Sequence, residues 1–137
     1  MKKILFWLMA FTWELPQTLV ALLFLLLFRT EGITGNNRIW RVHFNKYLTC
    51  ASLGEFLFFG DRYIGTPYWD ETVRHETGHS VQSRLFGPLY LILIGLPSCI
   101  WNVLSRMNNK AGRWFSRHYY DTPWEHGADL LGKVIRS

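Results

Sequence analysis

Residues 71–98, ETVRHETGHSVQSRLFGPLYLILIGLPS, join two segments of opposite character without a linker. The first segment, which ends at Arg84, is charged and carries two histidines. The second segment, residues 85–98, contains no charged residue. A soluble enzyme rarely has so long an uncharged run, and a plain membrane anchor does not need a histidine-bearing helix beside it. The stretch therefore predicts a polar site that is built next to a membrane segment.

Length and composition limit the architecture. The chain has 137 residues, enough for one domain, and its 49% apolar and 18% charged residues indicate separate apolar and polar blocks, as in membrane proteins. The net charge of +5 is scattered along the sequence, so we expect a lipid bilayer and no nucleic acid as a partner. Cys50 and Cys99 are far apart in sequence and are expected to be ordinary buried thiols.

Two apolar blocks are predicted to be transmembrane helices. Residues 4–28 have no small-residue cleavage site at their end, which favours an anchor over a removable signal peptide. Residues 86–104 are bounded by Arg84 and Arg106 and are just long enough to cross. We therefore expect a mainly α, multi-pass integral membrane protein, located in the cytoplasmic membrane of a prokaryote, with both termini on the cytoplasmic side.

Glu14 lies inside the first apolar block, where an unshielded carboxylate is costly. Glu14, Gln17 and Ala21 recur at i, i+3 and i+7, so this stripe is predicted to face protein rather than lipid. The carboxylate is either a contact for a proton or substrate, or a paired structural group at a kink beside Pro16. The second interpretation is favoured.

A small β-hairpin or sheet is predicted between the two apolar blocks. Residues 32–37 are rich in turn formers, residues 38–44 alternate polar and apolar, and residues 55–59 form a second apolar piece. His43 falls on the polar face of the first strand and is expected to be a surface residue.

The helix predicted over residues 67–86 carries the motif His75-Glu76-Thr77-Gly78-His79. His75 and His79 are one helical turn apart, so both imidazoles can bind one divalent ion. Glu76, about 100° around the helix, can act as the general base toward a zinc-activated water without being a ligand. The alternative is a helix with two unrelated histidines on a wet face.

A catalytic zinc site needs a third protein ligand, and a helix predicted over residues 122–135 supplies it. A metzincin would have a histidine where this chain has Leu85, so that class is excluded. Glu125 is the predicted ligand, and Asp129, one turn later, is predicted to accept a hydrogen bond from a ligand histidine and fix its tautomer. His126 is the rival ligand. An amphipathic surface helix with ordinary acids is the alternative.

Other polar residues near these helices are candidates for supporting roles. Tyr120 and His118, with Arg117 and Tyr119 beside them, are candidate donors to the tetrahedral intermediate of hydrolysis. Gln82, one turn beyond His79, could line the site, but it is predicted to satisfy polar backbone near the start of the membrane segment instead.

Together the two motifs resemble a known family. HETGH followed by Glu125-His126-Gly127-Ala128-Asp129 is similar to the HExxH and ExxAD signature of the membrane gluzincins related to HtpX and the CAAX prenyl-protein endopeptidases, and Ser116-Arg117 is similar to the residues before their second motif. The resemblance covers only the two motif helices of a chain that is far shorter than that family. It implies zinc on His75, His79 and Glu125, with Glu76 as general base, and a substrate peptide added to an edge strand within residues 51–59.

The sequence thus predicts a membrane-embedded zinc metallopeptidase that cleaves peptides or membrane-protein segments. Two alternatives stay open. One is a non-catalytic membrane protein that binds a partner and holds a structural metal or none, and the other is a zinc hydrolase with a non-peptide substrate.

Overall fold

A computed structural model describes residues 2–28, 30–36, 39–44, 50–60 and 63–135. The helices are α1 (Lys2–Phe11), α2 (Leu15–Leu27), α3 (Trp69–Phe86), α4 (Leu96–Ser105), α5 (Lys110–Arg117) and α6 (Pro123–Gly132), and the strands are β1 (Thr30–Asn36), β2 (Ile39–Phe44), β3 (Ala51–Leu53) and β4 (Phe56–Gly60). A 3-10 turn (Gly87–Leu89) and a π-helical turn (Leu91–Gly95) join α3 to α4. The prediction of a mainly helical chain with a small sheet is confirmed.

The sheet has the strand order β1-β2-β4-β3. β1 pairs with β2 and β3 with β4 in antiparallel fashion, whereas β2 and β4 run parallel. β4 is buried along its whole length, and β3 lies at an edge of the sheet. The predicted turn over residues 32–37 is wrong for residues 32–36, because pairing with β2 draws these glycine-rich residues into β1. The predicted environment of His43 lies outside the side chains that the structure describes.

The first apolar block is broken, so the prediction of one continuous helix over residues 4–28 is wrong. α1 ends at Phe11 and α2 begins at Leu15, with Pro16 in its first turn, where the missing N–H does no harm to the helix. Thr18 Oγ donates to the carbonyl of Ala10 at 2.7 Å, a contact that a straight helix could not make across eight residues.

The second apolar block is also bent. α3 with its 3-10 turn meets the helical run Leu91–Ser105 at 119°. The bend lies between Leu89 and Leu91, shortly after Gly87, whose φ is 52°, and Pro88. The ring of Trp13 packs directly against Gly87. In the described part of the chain, no single helix is long and apolar enough to cross a membrane, although this bent pair passes the same test of length and composition.

Polar side chains hold α2 to the C-terminal end of α3. Glu14, Gln17 and Ala21 are fully buried, which confirms that their stripe faces protein. Ser83 Oγ donates to Glu14 Oε1 at 2.6 Å, as expected for a paired structural carboxylate. Arg84 forms a two-pronged ion pair with Glu55, with Nη2 and Oε2 2.6 Å apart. These contacts fix the base of the helix that carries HETGH.

α3 and α6 approach each other closely because each has a glycine at the contact. A Cβ on Gly78 would lie 1.9 Å from the carbonyl oxygen of Ala128, and a Cβ on Gly132 would lie 2.0 Å from that of Arg74. α3 begins two residues later than predicted, and α6 ends at Gly132 because Lys133 adopts a left-handed conformation (φ 57°). This helix pair carries every predicted metal ligand.

The cysteines depart from the sequence prediction. Cys99, on α4, is exposed, and Cys50 is only half-buried. Both cysteines line a cleft between β3 and α4, so neither is an ordinary buried thiol.

Candidate metal centre

The predicted ligands come together between α3 and α6. His75 Nε2 lies 3.0 Å and His79 Nε2 lies 3.3 Å from the same carboxylate oxygen, Oε2 of Glu125. Each of the three residues offers one ligand atom, and these three atoms all lie within 4.8 Å of one another. The three side chains are buried, with relative exposures of 7%, 5% and 0%. This cluster could hold a metal ion.

The far nitrogen of His75 is held as predicted. Its Nδ1 lies 2.7 Å from Oδ1 of Asp129, one turn after Glu125 on α6. A carboxylate accepts the Nδ1–H, which leaves the Nε2 lone pair for an ion. Asp129 therefore orients the ring and selects the tautomer that a ligand needs.

The far nitrogen of His79 is held by Gln82, so the prediction that Gln82 only serves the backbone is wrong. Gln82 Nε2 donates to the carbonyl of Trp124 at 2.8 Å, which turns Oε1 toward Nδ1 of His79, also at 2.8 Å. A Cβ on Gly127 would lie 2.8 Å from that Nε2, so Gly127 leaves room for the amide. The sequence signal is a glutamine three residues after the second histidine, on the same side of the helix.

The second carboxylate oxygen of Glu125 is also occupied. Ser98 Oγ, which comes from α4, donates a short hydrogen bond to Oε1. Sequence analysis missed Ser98, since it lies in the uncharged block and no local spacing relates it to either motif.

The electrostatics of the cluster favour a cation. Burial alone would raise the pKa of Glu125, but hydrogen bonds from His75, His79 and Ser98 hold it well below the usual range. Burial alone would lower the pKa of His75, but its hydrogen bonds to Asp129 and Glu125 raise it to about 9. Without a metal, His75 therefore carries a proton beside Glu125, and an ion binding at Nε2 has to displace it.

Glu76 lies beside the cluster but is not part of it. Its side chain is buried, and its Oε2 has no hydrogen-bond partner among the described residues. Burial raises its pKa, against the lowering effect of His75 and His79. A buried carboxylate with an unused oxygen next to the ligands is placed to handle a proton.

The remaining candidate residues differ in their position relative to the cluster. Tyr120 packs edge-on against His75, with ring centroids 5.6 Å apart, and borders a cavity beside the cluster. His118 does not line that cavity: its Nδ1 is 2.8 Å from the carbonyl of Trp114, and its ring is tilted against that tryptophan with centroids 4.6 Å apart. His126 is exposed and absent from the cluster. Tyr119, which was not favoured from the sequence, lines two cavities that both reach His75.

A cleft of about 370 Å³ opens next to the cluster. It runs between edge strand β3 and the π-helical turn with α4, and it reaches His75, Glu76 and His79. Most of its wall is apolar, with Tyr90, Leu91 and Val103 among the contributing residues. An extended chain with apolar side chains fits this shape and polarity.

Comparison of the chain with protein-family models, with curated proteins and with solved structures gives no match. The resemblance to membrane gluzincins therefore stays a prediction from the two motifs. The metal-binding capacity rests on the geometry of His75, His79 and Glu125.

Proposed function

We propose that this chain is a membrane-embedded zinc metallopeptidase that hydrolyses peptide bonds in peptides or membrane-protein segments. The observation that carries the proposal is the convergence of His75 Nε2, His79 Nε2 and Glu125 Oε2, with the buried Glu76 beside them, whose Oε2 has no hydrogen-bond partner among the described residues.

The donor set fits zinc better than other common ions. Two imidazoles and one carboxylate suit Zn²⁺, whereas Ca²⁺ and Mg²⁺ prefer sets made of oxygen atoms. Three protein ligands are typical of catalytic zinc sites, and four are typical of structural ones. When bound, Zn²⁺ supplies Lewis-acid activation of water and of the substrate carbonyl.

The residues of the chain supply the proton transfers. Glu76 accepts the proton of the attacking water and delivers it to the leaving amine, which is the general acid–base role of a buried carboxylate next to the reacting atoms. Tyr120, at the edge of the neighbouring cavity, is the candidate donor to the substrate carbonyl oxygen. His118 is not proposed for this role, because its ring lies against Trp114.

The apolar cleft and the adjacent sheet edge indicate the form of the substrate. β3 lies at the edge of the sheet and lines the cleft that reaches Glu76. A peptide in extended conformation can pair with a strand edge through its backbone while its side chains enter an apolar wall. This arrangement favours a peptide over a compact non-peptide substrate.

Exposed apolar side chains support a membrane location. They cover α1, α2 and the α3–α4 region: Ile4, Leu5, Trp7, Leu8, Phe11, Leu19, Leu23, Leu26, Leu27, Leu85, Phe86, Leu89, Ile92, Leu93, Leu96, Ile100 and Val103. Soluble monomers rarely expose apolar patches of this extent. We place both apolar blocks in the cytoplasmic membrane of a prokaryote, as bent rather than straight segments.

The test is a zinc-to-protein ratio measured on detergent-purified protein. We expect one zinc per chain in the wild type and none in Glu125→Ala, which removes the third ligand. His126→Ala is the matched control, because His126 is adjacent on α6 but exposed, and it should retain the metal. A wild-type protein that binds no zinc would refute the proposal and favour a non-catalytic, partner-binding role.

A further inference from the structure

We propose that Ser98 is a positioning residue that orients the Glu125 carboxylate for the metal, which makes α4 a third element of the metal centre. The inference rests on the proposed zinc site and adds a residue to it from the apolar block, outside both motifs.

Each oxygen of the Glu125 carboxylate has its own polar neighbours. Oε2 faces Nε2 of His75 and of His79, and Oε1 accepts from Ser98 Oγ. The last torsion of a glutamate side chain is broad and can rotate readily. With Oε1 held by a hydroxyl, the plane of the carboxylate is fixed and Oε2 stays directed at the two histidines.

Ser98 is itself held in place by neighbouring contacts of α4. Trp101, on the same side of the helix, donates through Nε1 to the carbonyl of Phe115 at 3.0 Å, and its ring centroid is 6.0 Å from that of Trp124. One turn after Ser98, Asn102 Nδ2 approaches the hydroxyl of Tyr119 at 3.4 Å. These contacts connect α4 to α5 and to the start of α6, just before Glu125.

The loss of the Ser98 hydroxyl would leave Oε1 buried without a partner, because Glu125 is fully buried. A buried carboxylate oxygen without a partner is unfavourable, so the carboxylate would rotate to find one. Rotation would turn Oε2 away from the position at which it faces His75 and His79. Replacement of a residue that orients a metal ligand typically weakens metal binding by about 10–100-fold.

The experiment measures zinc affinity of the full chain in detergent by competition with a chromophoric chelator. The two variants to compare are Ser98→Val and Ser98→Thr. Valine and threonine side chains have nearly the same shape, but only threonine keeps the hydroxyl. We expect Ser98→Val to bind zinc about 10-fold more weakly or worse, and Ser98→Thr to stay close to wild type. Ser105→Ala is the control on the same helix, because the Ser105 hydroxyl donates to the carbonyl of Asn102 at 2.8 Å rather than to Glu125.

A second measurement separates positioning from a general loss of stability. The absorption spectrum of Co²⁺-loaded protein reports the ligand geometry, and we expect it to change in Ser98→Val but not in Ser98→Thr or Ser105→Ala. Equal zinc affinities and equal spectra for the valine and threonine variants would overturn the role of Ser98 and leave the zinc site intact. If the wild type binds no zinc, the proposed function itself fails.

Discussion

His75 Nδ1 and Asp129 Oδ1 are 2.7 Å apart, although the two residues are 54 positions apart in sequence. The pair joins α3 to α6 at the candidate metal centre and leaves Nε2 of His75 directed at Glu125. A charged acceptor at this position makes the imidazole a stronger ligand and restricts its rotation.

Replacement of Asp129 by alanine should therefore weaken zinc binding about 10–100-fold, because the ring of His75 loses the partner that selects its tautomer. Chelator competition on detergent-purified protein measures the change. Asp121→Ala, an exposed acid just before α6, is the control and should bind like wild type. Equal affinities for the two variants would show that Asp129 does not support the metal.

Gln82→Ala should also weaken zinc binding, by roughly 10-fold. This is the lower end of the range for residues that orient metal ligands, because a neutral amide orients His79 less strongly than a carboxylate orients His75. The same chelator assay applies. Leu85→Ala changes an exposed side chain one turn later on α3 and should have no effect. Wild-type zinc affinity in Gln82→Ala would show that Gln82 does not support His79 as a ligand and serves the backbone carbonyl of Trp124 instead.

Glu76→Gln should retain zinc and lose peptide cleavage by about 10²–10⁴-fold, because the amide keeps the shape of the side chain but cannot accept the proton. Zinc content and hydrolysis of an apolar fluorogenic peptide are measured on the same preparation. Asp70→Asn, at the exposed start of α3, is the matched acid-to-amide control and should cleave normally. Full activity of the Glu76 variant would eliminate the mechanism.

Gly78→Ala should destabilise the protein by about 1–3 kcal/mol, the usual cost of overpacking, because its Cβ would lie 1.9 Å from the carbonyl oxygen of Ala128. The displacement of α6 should also weaken zinc binding through Glu125. Thermal unfolding and chelator competition measure the two effects. At Gly95 the nearest atom to an added Cβ is 3.6 Å away, so Gly95→Ala should unfold close to wild type.

Zinc should raise the stability of the wild-type protein, because the proposed site is assembled from α3 and α6, which come together on folding. Free zinc at 100 times the dissociation constant contributes about 2.7 kcal/mol. The melting temperature in detergent should rise with zinc, fall with a chelator, and stay constant in Glu125→Ala. A zinc-dependent shift of equal size in Glu125→Ala would place the ion elsewhere.

Local spacing made the three residues of the candidate metal cluster predictable. His75 and His79 lie one turn apart on a helix whose end at Phe86 was also predicted, and Glu125 and Asp129 have the same relation on α6. A helix fixes which of its residues share a face, so such short-range pairs can be derived from sequence alone.

Contacts that depend on the path of the chain could not be derived in this way. Ser98 reaches Glu125 because the chain turns through 119° after α3, and average hydropathy carries no information about such a bend. The break between α1 and α2 was indicated only by Pro16, which predicted a kink but not a contact between Thr18 and Ala10. The exposure of Cys99 depends in the same way on which face of α4 is covered.

The reciprocal glycines of α3 and α6 have an evolutionary consequence. Position 78 does not tolerate a side chain, whereas Thr77 beside it is only half-buried, so the useful fingerprint for finding relatives is H-E-x-G-H rather than H-E-x-x-H. Gly132 faces the carbonyl of Arg74 in the same manner, so positions 78 and 132 should covary in any lineage that preserves this helix pair. A homologue with bulky residues at both positions would have to separate the two helices and draw its third ligand from elsewhere.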